Sequence, residues 1–267
     1  MSDIHITRVV LRAVHRGDLP LNVLLEIGWR HLLELCPTCD QEYRAWRQER
    51  RAIRAPHLPP KALDRLRREE KRARRKAEAE AADLLALPYP QRIEKLERSH
   101  RRFRECPLVA RLLEESRGRM AADLDAAEEL VDTARAVLLQ ARDSSDLPGL
   151  SALAMIYRAN IARLRGQPDE ARERFEKART ILRAQGVTDL LMFGEADAFE
   201  ALLALDLGDL VAARELLRRS VALFLLGAER ERASGPLRTL GHLYQLCGQP
   251  ERAAEVTRAA EQIAAAG

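Results

Sequence analysis

The chain of 267 residues is 46% hydrophobic but only 4% aromatic, and its net charge is +4. Scarce aromatics with abundant Ala, Leu, Glu and Arg favour helices packed through small and aliphatic side chains, and argue against β-sheet. No run approaches the roughly 18 apolar residues of a membrane span and no secretory signal pattern opens the sequence, so the expected location is the cytoplasm and no membrane partner is expected.

The charge is unevenly spread. Tyr43 to Lys76 holds fourteen Arg or Lys against four Asp or Glu, so the rest of the chain is net acidic. The cysteines are Cys36, Cys39, Cys106 and Cys247. This is no secreted disulfide framework; it reads as a metal or redox pair plus two ordinary buried thiols.

In chain order, residues 4–16 and 20–35 predict two amphipathic helices joined by a polar turn at Gly17-Asp18-Leu19. Cys36-Pro37-Thr38-Cys39 breaks the second and starts a third, which runs to about Ile53. Pro56, Pro59 and Pro60 then interrupt the chain. Residues 61–86 have helix-forming composition with almost no apolar face before Leu84 and Leu85, the pattern of a solvated linker helix. A helix is expected from about Gln91 to Arg104. From there to Ala264 the pattern is of helical hairpins. The expected divisions are 1–55, 56–88 and 89–267, all of them α.

Zinc prefers four tetrahedral thiolate and imidazole ligands, and C-x2-C spacing lets two sulfurs reach one ion. His31 precedes the Cys36/Cys39 pair at the end of a helix and supplies a third ligand. If the first two helices form a hairpin centred on Asp18, His5 faces His31, whereas His15 lies near the loop. The expected zinc ligands are therefore His5, His31, Cys36 and Cys39. A redox pair of the thioredoxin kind needs a βαβ context that is absent here. A closed four-ligand zinc is as well explained by stapling a small helical unit. The constellation resembles the zinc-containing anti-sigma factor domain over roughly residues 3–50. The present sequence has four residues, not three, between His31 and Cys36. The resemblance implies zinc binding and a sigma-factor-like partner.

The C-terminal half repeats itself. Gly166-Gln-Pro-Asp-Glu-Ala171, Gly208-Asp-Leu-Val-Ala-Ala213 and Gly248-Gln-Pro-Glu-Arg-Ala253 share one layout, at spacings of 42 and 40 residues. A glycine closes one helix, an acidic residue or Pro opens the next, and Ala permits close backbone approach. With Leu237-x2-Leu240-Gly241-x2-Tyr244, this resembles the tetratricopeptide repeat family from about Leu108 to Ala264. A faint earlier copy lies around Ala127, Val131 and Ala134. The repeats exceed that family's 34 residues. The resemblance implies an α-solenoid of about four hairpins that binds a protein. By the family's register it places Asn160, Arg163, His242 and Gln245 on the groove, where they would be the partner-binding residues; for each one taken singly, a solvated polar role is the preferred reading.

Arg65 to Lys76 offers charge for nucleic-acid phosphates. It lacks stacking aromatics and a recognition helix, so a solvated or partner-dependent helix is preferred and nucleic acid is not the expected partner. No nucleophile–base–acid grouping or phosphate loop is recognisable, and the zinc candidate has no open position. The expected function is a non-enzymatic adaptor or scaffold, with an anti-sigma-like, zinc-dependent and redox-responsive regulator as the alternative.

Overall fold

The computed structural model describes residues 60–99, 102–141, 146–184, 189–226 and 229–265. Among these, every regular element is a helix: α1 (Pro60–Leu85), α2 (Tyr89–Arg98), α3 (Cys106–Arg119), α4 (Leu124–Gln140), α5 (Leu147–Leu164), α6 (Pro168–Ala184), α7 (Leu190–Asp206), α8 (Leu210–Leu226), α9 (Arg230–Leu246) and α10 (Pro250–Ala265). No described helix is long and apolar enough to cross a membrane. The described helices fall into two compact units, α1–α6 and α7–α10.

Three hairpin turns are closed by one device. Gly166, Gly208 and Gly248 have φ of 72°, 76° and 68°. This left-handed region penalises a Cβ, so glycine is the residue that fits. Each glycine N–H donates three residues back, to Arg163, Leu205 and Gln245, at 3.0 Å. The following N–H of Gln167, Asp209 and Gln249 donates five residues back, to Ala162, Ala204 and Tyr244, at 2.9 Å. This paired pattern is the Schellman motif, which satisfies helix-terminal carbonyls while reversing the chain. The next helix then starts at Pro168 or Pro250, or under the Asp209 carboxylate, which accepts from the Ala212 N–H at 2.9 Å.

Five residues past each glycine, Ala171, Ala213 and Ala253 are buried and let the paired helices approach closely. In the first unit α6 lays Ala171, Phe175, Ala178 and Leu182 against α5, an i, i+4, i+7, i+11 stripe. In the second unit one core joins Leu217, Val221 and Phe224 of α8, Leu237, Leu240 and Tyr244 of α9, and Val256 and Ala260 of α10. Each such large side chain contributes about 1.5–3 kcal/mol when removed from water.

The faint earlier copy is also a hairpin. α3 packs on α4, with Ala127, Val131 and Ala134 buried, but its turn uses Asp123, which accepts from the Ala126 N–H at 2.9 Å. The described residues thus contain four helical hairpins, two in each unit.

Two local expectations differ from the structure. The helix expected over 91–104 ends at Arg98, and Phe103 adopts φ of 62° with its ring buried beneath Arg102 and Lys95. Burying this ring outweighs the left-handed backbone penalty, a tertiary gain that helix propensity does not register. Nor is α1 solvated throughout. Ala77, Glu80, Ala81 and Leu84 are buried and the helix packs on α3. The packing stripe is made of alanines, which is why its apolar face was inconspicuous.

Candidate protein-interaction site

α9 has two opposite faces. Ala233, Leu237, Leu240 and Tyr244 enter the core, whereas Glu231, Gly235, Arg238, His242 and Gln245 are exposed. The exposed positions recur at i, i+4, i+7, i+11 and i+14, so they form one stripe along the helix. His242 and Gln245 therefore sit on an open face, with Arg238 one turn away. Mixed donors, acceptors and charge along one helix face suit recognition of an extended peptide or a helix.

Equivalent positions differ in the other hairpins. Counted back from the turn glycines, His242 corresponds to Asn160 on α5 and Leu202 on α7, and Gln245 to Arg163 and Leu205. Leu202 and Leu205 are half-buried. Asn160 is placed otherwise than a groove residue, since it is 2% exposed. Its Nδ2 donates to the Met120 sulfur at 3.3 Å, and its Oδ1 accepts from Arg163 Nε at 2.9 Å. Arg163 is half-buried and braces that amide. Packing of α5 on α3 brings Met120 over Asn160, a contact forty residues apart in sequence.

Other buried polar groups escaped sequence reasoning. On α7 the Asp197 carboxylate is fully buried and held by Arg219 of α8 through two hydrogen bonds of 2.6 and 2.8 Å. Two residues earlier, Glu195 is 1% exposed and lies 3.7 Å from Arg232. Their signal in the sequence is the Glu195-x-Asp197 pair within the run LLMFGEADAFEALLALD, which is apolar apart from its four carboxylates. Carboxylates enter such a helix only where cations meet them.

An open cleft of about 500 Å³ between α1 and α3 is lined by Arg74, Glu78, Arg111, Glu114, Glu115 and Arg119. These side chains pair among themselves, as in Arg111–Glu115 at 3.0 Å and Arg119–Glu115 at 3.2 Å. It has no aromatic or aliphatic floor of the kind that holds small ligands.

His5, His31, Cys36 and Cys39 lie outside the described residues. Within the described residues no three His, Cys, Asp or Glu side chains form a metal-binding group. The expectation of two buried thiols is corrected: Cys106 is half-buried and Cys247 is exposed. Cys247 directly precedes the turn glycine, a position that also points Arg165 and Leu207 to solvent. No protein-family model, curated protein or solved structure matches the chain.

Proposed function

We propose that this chain is a non-enzymatic protein-binding scaffold built from helical-repeat hairpins of the tetratricopeptide kind. The observation that supports it most is the exposed α9 stripe of Arg238, His242 and Gln245, carried on a hairpin whose turn is closed as in two others. Repeated hairpins present helix faces on a rigid base, so a polar stripe loses little conformational entropy when it binds. The N-terminal His5, His31, Cys36 and Cys39 form a zinc-stapled second interaction site in this reading, and the protein acts in the cytoplasm.

A photo-crosslinking residue at position 242 tests the α9 face against one at position 255, which is exposed on α10. The proposal expects a discrete protein adduct from position 242 that disappears with Arg238→Glu. Identical adduct patterns from both positions would remove it.

A second reading, an anti-sigma-like regulator, is favoured by the His31-x4-Cys36-x2-Cys39 spacing alone. In that reading a peroxide, itself reduced to water, would join the Cys36 and Cys39 thiolates as a disulfide, which would take two ligands from a bound zinc and release the partner. It requires Cys36→Ser to weaken partner binding.

A further inference from the structure

The first half of α1 is strongly cationic, and its charges are not all used internally. From Asp64 to Lys76 eight Arg or Lys stand against three Asp or Glu, and all but Ala73 are exposed. Some are paired: Arg65 with Glu69 at 2.8 Å, Arg67 with Asp64 at 3.5 Å, Arg74 with Glu78 at 3.9 Å, and Lys76 with Glu105 at 2.5 Å. Arg68, Lys71, Arg72 and Arg75 have no ion-pair partner among the described residues.

Those four are not scattered. Spaced i, i+3, i+4 and i+7, they share one helix face. At about 100° per residue, that face lies opposite the buried Ala77–Ala81–Leu84 side that packs on α3. The structure therefore anchors α1 by its second half and turns a row of unneutralised cations outward on its first half.

We propose that Arg68, Lys71, Arg72 and Arg75 dock the phosphate backbone of a nucleic-acid duplex, without reading its bases. The face selects this occupant by what it contains and lacks. A membrane-surface helix needs an apolar face beside its cations, and between Asp64 and Lys76 only Leu66 and Ala73 are apolar. A protein interface is depleted of charge at its core, whereas this row is four like charges with no acidic or neutral member. Single strands are held by stacking aromatics, and none occurs between Asp64 and Leu85. The segment that leads directly into α1 adds to the same charge, with five Arg against one Glu over 43–59.

What remains is a helix whose guanidinium groups suit phosphate oxygens in bidentate geometry. Arg68 to Arg75 spans about 10 Å along the axis, comparable with the ~12 Å width of a B-form major groove. With no Asn or Gln among these residues to read base edges, binding is sequence-independent.

The test is fluorescence anisotropy of the full chain with labelled random-sequence duplexes, DNA and RNA in parallel, at several salt concentrations. Four phosphate contacts predict a log–log salt slope near −3.6 and so a roughly 100-fold loss of affinity between about 50 and 200 mM salt. Binding of either duplex with that dependence supports the proposal, and the stronger binder identifies the source of the phosphates. The variant R68Q/K71Q/R72Q/R75Q keeps helix-forming residues at exposed positions, so its helix content by circular dichroism should not change. Its affinity should fall by at least about tenfold and its salt slope flatten. The variant R172Q/R252Q, altered at exposed cations elsewhere, should bind as the wild type does. Salt-independent binding, no binding at about 50 mM salt, or an unaffected quadruple variant would overturn the proposal. So would displacement of the duplex by polyglutamate or anionic vesicles at equal charge.

Discussion

A Cβ placed on Gly241 would fall 2.7 Å from the Thr257 hydroxyl oxygen, so α9 and α10 touch closely at this one pair. The corresponding residues of the two other glycine-closed hairpins are Ala159 and Ala201, facing the positions of Phe175 and Leu217. The third hairpin has exchanged alanine for glycine where its neighbour is β-branched and stiff about χ1.

That contact sets two effects against each other. Gly→Ala in a helix favours folding by about 1 kcal/mol, whereas overpacking costs about 1–3 kcal/mol. Gly241→Ala is expected to destabilise the chain by about 1 kcal/mol, and to stabilise it by about the same amount when Thr257 is also Ala. Urea unfolding of the four chains of this cycle measures it. Equal effects of Gly241→Ala in both backgrounds would show that Thr257 simply swings aside.

Asp197 and Arg219 should be sharply asymmetric. Asp197 is fully buried, so Arg219→Ala removes the cation that faces a buried carboxylate and should cost about 3–5 kcal/mol. Asp197→Asn keeps the shape and removes the buried charge, so Asp197→Asn/Arg219→Ala should be less damaging than Arg219→Ala alone. Chemical denaturation reads the difference. A double variant as unstable as the sum of the two single changes would contradict this account of α7–α8 pairing.

Glu80 predicts the opposite of ordinary acid denaturation. Burial pushes its carboxyl above the usual carboxylate range, Lys76 pulls it back, and Glu105, Arg102 and Asp83 add smaller opposing effects. Its Oε2 is buried without a hydrogen-bond partner. The folded chain thus holds this proton more tightly than the unfolded chain does. Glu80's contribution is greatest on the acid side of the window between its two pKa values and is lost as pH rises through it. Glu80→Gln should therefore gain on the wild type as pH goes from about 4 to about 7. Parallel stability curves for the two chains across that range would exclude the effect.

Zinc analysis addresses the N-terminal ligand set. The reduced full chain, purified without chelator, should carry stoichiometric zinc that His5→Ala removes and His15→Ala retains. Loss with His15→Ala and retention with His5→Ala would reverse the helical register expected over residues 4–35. Zinc-free protein would leave Cys36 and Cys39 unexplained.

Local features of this chain are legible in its sequence. The turns at Gly166, Gly208 and Gly248 were readable because a left-handed cap, a helix-starting Pro or Asp and a buried Ala all fall within six residues. The tetratricopeptide register puts His242, Gln245 and Asn160 on one groove face; His242 and Gln245 are exposed, whereas Asn160 is buried. The seam on α1 was present too, but written in alanines that hydropathy patterning undervalues.

What only the tertiary structure decided depends on residues far apart in the chain. Asn160 is closed off by Met120, forty residues away, and Asp197 is neutralised by Arg219 from the next helix. Phe103 turns the backbone because its ring finds a buried site. Helix formation is local, set by backbone hydrogen bonds within a few residues, so one sequence suffices to read it. Burial and pairing are set by which helices meet, and that is a property of the packed chain.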